Sequence, residues 1–163
     1  MPSIFIQTIL NASCPELITG EWIDLANLSH NNLNKGIDNI INHSNRCLVK
    51  AWKISDYEGF YGLTPPLEIV LAVANLIDNY GEAYALYAQN IRADIVDDFE
   101  ESYCGEWNSF KDYAIEQFDD VYAFNLCDYI RSYIDYDKVA RDLQIDYFYE
   151  TSESGTVYVY RHL

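Results

Sequence analysis

The sequence is poor in basic residues. It has 10 lysines and arginines against 26 aspartates and glutamates in 163 residues, which gives a formal net charge of −16. Such a surface repels nucleic acid and anionic lipid and attracts basic partners. Half of the residues are apolar, so the chain can bury a core, unlike a disordered acidic tail. We therefore expect a folded protein that binds neither nucleic acid nor a membrane.

The sequence also lacks the patterns of disulfide-stabilised, membrane-spanning and exported proteins. Its four cysteines stand far apart and form no CxxC pair, which favours reduced thiols over a disulfide framework or a zinc site. No run approaches 18 apolar residues, and the first residues contain no basic region. The pattern predicts neither a membrane span nor a signal peptide, and we expect a cytoplasmic protein.

Motifs of common enzymes and metal sites are absent as well. The sequence contains no GxSxG, P-loop, GxGxxG, HExxH or EF-hand pattern. His43 and Cys47 have the spacing of a base and a nucleophile on a helix, but a buried cysteine beside an exposed histidine explains it more simply. Carboxylate pairs suited to glycoside hydrolysis occur by chance in any acidic protein. We expect a protein without catalytic activity, metal or cofactor, and an enzyme is the less favoured alternative.

The acidic excess is concentrated in the later part of the chain. Residues 1–60 contain six acids and four bases, a net charge of −2, whereas residues 61–163 contain 20 acids and six bases, a net charge of −14. Solubility alone does not require such a concentration, and self-repulsion there destabilises the compact state. The asymmetry therefore indicates a use for the charge.

Apolar periodicity and turn residues predict an α+β fold of three small modules. Residues 1–61 favour a β-β-α-β module, with strands over 4–10, 17–25 and 48–54 and a helix capped by Ser29. Residues 62–104 favour a helical module. Its predicted helices run from a Thr64 cap to about Asn79, from Glu82 to Asn90, and from about Arg92 to Tyr103.

The last predicted module, residues 105–163, combines helices with a hairpin. Ser109 is the predicted cap of its first helix, with Asp112 in the capping-box position. Two short helices are predicted over 126–133 and 135–143. The chain then ends in two aromatic-rich strands around Ser152–Gly155, the pattern of a β-hairpin.

Two successive predicted helices carry carboxylates at helical spacing, opposite their apolar stripes. Such carboxylates recur about every 4.5–6 Å along a helix, a density comparable with DNA phosphates, which advance about 3.4 Å per strand. Like charges at this spacing destabilise a helix by a few tenths of a kcal/mol per pair, so the repetition favours a function. The candidate residues are Asp94, Asp97, Asp98, Glu100 and Glu101 on the first helix, Asp112, Glu116, Asp119 and Asp120 on the second, and Asp135, Asp137 and Asp142 as an extension.

This pattern favours a protein that offers its carboxylates to the lysines and arginines of a DNA-binding partner. A generic acidic module or chaperone for a basic protein is the alternative, and competition with DNA separates the two. Glu106 is assigned to neither a structural nor a binding role. Six aromatic residues are expected to pack rather than to contact a partner: Trp22, Tyr57, Phe60, Trp107, Tyr133 and Tyr136.

An ordered set of segments resembles the ArdA-type antirestriction proteins. The set covers both ends and the middle of the chain, and its order and spacing make it specific. The segments are Gly20–Asp24 (GEWID), Ile54–Phe60 (ISDYEGF), Phe99–Trp107 (FEESYCGEW), Tyr133–Tyr136 (YIDY) with Ala140–Leu143 (ARDL), and Val157–Tyr160 (VYVY).

The resemblance implies an elongated homodimer of small modules in series. It implies a protein that mimics bent B-form DNA and occupies the DNA groove of a type I restriction-modification enzyme, at its methyltransferase core. Family members are carried by plasmids, conjugative transposons and phages, where they protect incoming DNA. On this reading the carboxylates named above meet the side chains that normally hold phosphates.

Overall fold

A computed structural model describes residues 1–10, 19–44, 49–90 and 98–163. Its contacts divide the chain into two units, Met1–Val96 (unit 1) and Asp97–Leu163 (unit 2). Each unit contains helices and one small antiparallel sheet, which confirms the predicted α+β class. The finer division into three modules stays a prediction.

The sheet of unit 1 has its first strand at the centre. Strands β1 (Ser3–Leu10), β2 (Thr19–Asp24) and β3 (Val49–Glu58) pair antiparallel in the order β2-β1-β3. Ile4, Ile6 and Thr8 alternate along β1 and are buried, because side chains two apart share one face of a strand. The predicted strands are confirmed, although β3 continues four residues beyond Ile54. The predicted starts of β2 and β3, at residues 17 and 48, lie outside the described residues.

Helix α1 (His30–His43) packs against β1 and β2. The Ser29 hydroxyl accepts a hydrogen bond from the backbone N–H of Asn32 at 3.3 Å, which satisfies one of the free donors at the helix start. Leu33, Ile37 and Ile40 form the buried stripe. The helix and its cap were both predicted correctly.

Helices α2 (Val70–Tyr80) and α3 (Glu82–Asn90) complete the described part of unit 1. The predicted Thr64 cap is wrong, because α2 begins only at Val70 and Ile69 occupies its cap position without a side-chain hydrogen bond. Pro65 and Pro66 disfavour helical geometry at Thr64 and Pro65, the residues that precede them, so the helix does not begin there. The bounds of α3 match the prediction.

The sheet of unit 2 contains a strand that the sequence pattern missed. Strands β4 (Tyr103–Trp107), β5 (Tyr147–Thr151) and β6 (Val157–Arg161) pair antiparallel in the order β4-β6-β5. The predicted hairpin β5–β6 is confirmed. The predicted helix ends within one residue of its expected end at Tyr103, since α4 spans Phe99–Ser102, but the pattern missed that the chain then continues directly as β4. Pairing with β6 overrides the helical periodicity, and Gly105 adopts φ +109° beside a register shift in β4. The predicted start of this helix lies outside the described residues.

Helix α5 (Phe110–Phe118) covers the second sheet. Phe110 and Tyr113 pack with Val157 and Val159 in one buried cluster. A π-helical segment (Asp119–Ala123) continues α5, and α6 (Asp128–Arg131) and α7 (Tyr136–Leu143) follow. Helix α6 has only four residues, so it is much shorter than the helix predicted over 126–133. Within the described residues, no helix is long and apolar enough to cross a membrane.

We predict that Gly20→Ala destabilises unit 1. A methyl group at Gly20 would lie 2.5 Å from the Ile6 carbonyl oxygen and 2.7 Å from the Phe5 ring, and overpacking of this kind costs about 1–3 kcal/mol. Gly36→Ala in α1 is the matched control, because its methyl would meet only the Ile23 side chain at 3.4 Å and alanine favours a helix by up to ~1 kcal/mol. Urea denaturation measures both. Equal stability of the two variants would contradict the close approach at Gly20.

Candidate partner-binding surface

Unit 2 exposes almost all of its acidic side chains. Residues 98–163 contain 15 acids and five bases, and 13 of those acids are exposed, two are half-buried and none is buried. Two of the five bases, Lys111 and Arg131, are engaged in ion pairs with Asp137 and Asp119. The surface of this unit therefore carries a large unneutralised negative charge.

The carboxylates of α5 point away from its buried face. Phe110, Tyr113 and Ala114 are buried, whereas Asp112 and Glu116 are exposed. The Ser109 hydroxyl accepts from the backbone N–H of Asp112 at 3.1 Å and donates to its carboxylate at 2.7 Å. This cap fixes the start of the helix, and the acidic side chain near the N-terminus is favourable to the helix dipole.

Helix α7 adds a second row of carboxylates beside the first. It packs against α5, and Asp135 caps it by accepting from the backbone N–H of Lys138 at 3.0 Å. Lys111 of α5 forms an ion pair with Asp137 at 2.7 Å, which lowers the pKa of that carboxyl below its usual value. Asp135, Asp137 and Asp142 are all exposed, so the two helices together present the candidate carboxylates of this region.

Both carboxylate oxygens of Asp119 are engaged within unit 2. Arg131 donates to Oδ2 at 2.8 Å, and the Tyr136 hydroxyl donates to Oδ1 at 2.6 Å. The side chain is 19% exposed. The hydrogen bond to the carboxylate raises the pKa of Tyr136 above its ordinary value, so this phenol stays protonated and keeps donating to Asp119.

The remaining candidate carboxylates either lie beside the second sheet or are outside the described residues. Asp98, Glu100 and Glu101 are exposed at α4, whereas Asp94 and Asp97 lie outside the described residues. Glu106 is exposed on β4 and lines, with Asp112, an open cavity of about 310 Å³. No group of three or more metal-ligating side chains occurs among the residues described.

Comparison with known families identifies the chain. The family model described as antirestriction protein (ArdA) matches residues 17–158. The chain belongs to the ArdA family. Its members are described as antirestriction proteins. No curated protein matches the sequence.

This ArdA chain also exposes a set of apolar side chains that sequence reasoning did not assign to a surface. They lie between Val121 and Tyr133, which we call the apolar segment. Its exposed members are Val121, Tyr122, Phe124, Leu126, Tyr129, Ile130 and Tyr133. Only two of its 13 residues are charged, Asp128 and Arg131, and that low charge between two acidic helices is the signal that could have revealed it.

Two of the aromatic residues expected to pack are exposed instead. Tyr133 is 72% exposed and Trp22 is 47% exposed, although the Trp22 ring still meets the Phe5 ring edge-on at 5.3 Å. Phe60 is buried, as predicted. The other three, Tyr57, Trp107 and Tyr136, are half-buried. The Tyr57 hydroxyl donates to the Pro65 carbonyl, and the Tyr136 hydroxyl donates to Asp119. The Trp107 ring packs edge-on against Tyr113.

The Lys111–Asp137 pair predicts a pH dependence of stability. Because folding lowers the pKa of Asp137, the pair stabilises the fold above the carboxyl's unfolded pKa, and this contribution is lost as the pH falls through the folded value. Asp137→Asn should therefore lower the melting temperature at pH 7 and have no effect near pH 2. Asp142→Asn, which changes the charge equally at an exposed position of α7, is the control. A constant difference between Asp137→Asn and the parent at all pH values would contradict the assignment.

Proposed function

We propose that this ArdA protein inhibits a type I restriction-modification enzyme by presenting unit 2 as an electrostatic copy of DNA. The exposure of 13 carboxylates in residues 98–163, with none buried, carries the proposal. The protein competes for the DNA groove at the methyltransferase core of the enzyme. It offers negative charge to the groove but no bases that can be read or cut.

The arrangement of the carboxylates suits lysines and arginines that normally hold phosphates. Asp112 and Glu116 stand four residues apart on α5 and are both exposed, which places them about 6 Å apart along the helix axis. Asp135, Asp137 and Asp142 repeat the charge along the neighbouring helix α7. Lys138 and Arg141 on α7 partly neutralise that row, so the likeness to a phosphate backbone lies in the spacing of the carboxylates rather than in the net charge of these two helices. The other proposed contacts are Asp98, Glu100, Glu101 and Asp120, together with Asp94 and Asp97, which lie outside the described residues.

The proposal includes a homodimer associated through the apolar segment. Two copies of a chain with a charge of −16 repel each other, so they approach most readily where the surface carries little charge. The apolar segment is such a surface, because Arg131 is already engaged by Asp119 and only Asp128 remains. Its exposed tyrosines and phenylalanine are residue types enriched in the cores of protein interfaces.

The same proposal specifies the cellular compartment and the kind of genetic element that carries the protein. A type I enzyme meets incoming DNA in the cytoplasm, and an inhibitor carried on a plasmid, transposon or phage protects that DNA there. The four cysteines stand far apart in the sequence and form no CxxC pair, which accords with a reducing compartment.

A variant with four carboxylates replaced by amides tests the electrostatic contact. Asp98, Glu101, Glu116 and Asp120 are exposed, and exposed charge pairs contribute roughly 0.2–1 kcal/mol each. Replacing all four with Asn or Gln should weaken inhibition of a type I enzyme about tenfold or more. The variant should also show a shallower loss of inhibition with rising salt, because fewer charges take part.

The matched control replaces four exposed acids of unit 1. Glu21→Gln, Asp38→Asn, Glu58→Gln and Glu68→Gln change the net charge by the same amount at exposed positions, and inhibition should change less than threefold. Equal loss in both variants would show that net charge alone matters, as expected of a generic acidic binder. No loss in either would contradict electrostatic mimicry.

Phe124→Asp tests the dimer. Phe124 is 67% exposed in the apolar segment, and Ile145, outside that segment, is 78% exposed. Sedimentation velocity across a concentration series should show that Phe124→Asp raises the dimer dissociation constant at least about tenfold, as expected for a large aromatic contact. Ile145→Asp should leave it within about twofold. Equal effects of the two substitutions would exclude the segment as the interface.

A further inference from the structure

A half-buried ion pair between Asp119 and Arg131 connects the two ends of the apolar segment. Asp119 precedes the segment, and Arg131 lies near its end in α6. Arg131 donates through one terminal nitrogen to Asp119 Oδ2 at 2.8 Å and through the other to the Ala123 carbonyl at 2.9 Å. One guanidinium group therefore ties the start of the segment to its end.

Tyr136 closes the arrangement from the neighbouring helix. Its hydroxyl donates to Asp119 Oδ1 at 2.6 Å, and its ring meets Phe118 edge-on. Asp119 thus contacts α6 and α7 at once. Its carboxylate joins three consecutive pieces of backbone: the π-helical segment, α6 and the start of α7.

The burial of these groups makes the ion pair hard to replace. The side chains of Asp119 and Arg131 are 19% and 34% exposed, and the Arg131 Nε is buried without a hydrogen-bond partner among the residues described. Removing one member of such a pair leaves the other charge uncompensated. A guanidinium group also has a planar fork that lysine lacks, and the two acceptors here require that fork.

Most side chains of the apolar segment are exposed, so burial of those side chains contributes little to holding it in place. Its described internal contacts are short-range: Leu126 N–H donates to the Ala123 carbonyl at 3.0 Å, and the Tyr133 hydroxyl donates to that of Tyr129 at 3.0 Å. Ordering a backbone costs roughly 1–2 kcal/mol per residue. Ala123 is buried and anchors the segment by packing, and the hydrogen bonds from Arg131 to Asp119 and to the Ala123 carbonyl span more of the sequence than the internal ones.

We propose that Asp119 and Arg131 are positioning residues that fix the apolar segment in the shape needed for self-association, rather than contacts to the restriction enzyme. This inference rests on the proposed homodimer. It removes Asp119 from the partner-facing carboxylates while keeping its neighbour Asp120 among them. The two adjacent aspartates therefore have separate tasks.

Asp119→Asn and Asp120→Asn form a matched pair that tests this division. Each removes one charge, but Asp120 is exposed and Asp119 is not. Dimer dissociation constants are measured by sedimentation at a temperature where circular dichroism shows each variant fully folded, so a general loss of stability does not affect the readout. Asp119→Asn should raise the dissociation constant about tenfold, and Asp120→Asn should change it less than twofold.

The salt dependence of enzyme binding supplies the second readout. Asp120→Asn should make the loss of binding with salt shallower, whereas Asp119→Asn should leave that slope unchanged. Should Asp119→Asn fail to fold, Tyr136→Phe removes only the hydrogen bond to Oδ1 and should raise the dimer dissociation constant about threefold.

Distinct outcomes separate this inference from the proposed function. If the parent protein is a dimer and both aspartate variants dimerise equally, the positioning role is wrong and the homodimer stands. If Asp119→Asn changes the salt slope as Asp120→Asn does, Asp119 is a partner contact. If the parent is monomeric at all concentrations, the proposed homodimer fails, and the inference fails with it.

Discussion

Repulsion among the carboxylates of unit 2 is the constraint on which the rest of the structure depends. Thirteen exposed acids in 66 residues favour expansion of the chain, so the unit needs an apolar core that outweighs this repulsion. Phe110, Tyr113, Val157 and Val159 form that core, with Trp107 and Tyr147 packed against it. Aromatic rings bury a large area per residue, which suits a small unit with many exposed carboxylates.

Several acidic residues are placed where their charge also stabilises the fold. Asp112 lies in the first turn of α5, and Asp135 caps α7, positions where negative charge is favourable to the helix dipole. Lys111 and Arg131 are used within the unit to join its helices. The chain thus maintains its fold with few bases and leaves most of its carboxylates to the surface.

Sequence reasoning predicted features that depend on local chemistry and missed those that depend on tertiary contacts. The caps at Ser29 and Ser109, helix α3 and the terminal hairpin follow from side chains close in sequence. The strand at Tyr103–Trp107 forms because β6, more than fifty residues later, pairs with it. Periodicity placed Asp119 on an acidic face, but Arg131 and Tyr136 are brought to it only by folding. The exposure of the apolar segment was missed because an apolar run ordinarily predicts burial.

Simultaneous binding of DNA and this protein to one enzyme tests the central claim most directly. A type I methyltransferase is incubated with fluorescently labelled duplex DNA carrying its recognition sequence, and the protein is added while anisotropy and sedimentation are recorded. Competition for one groove predicts that the protein displaces the DNA completely and that no species contains all three components. The apparent affinity of the protein for the enzyme should fall in proportion to the DNA concentration. A stable complex of enzyme, DNA and this protein would contradict DNA mimicry.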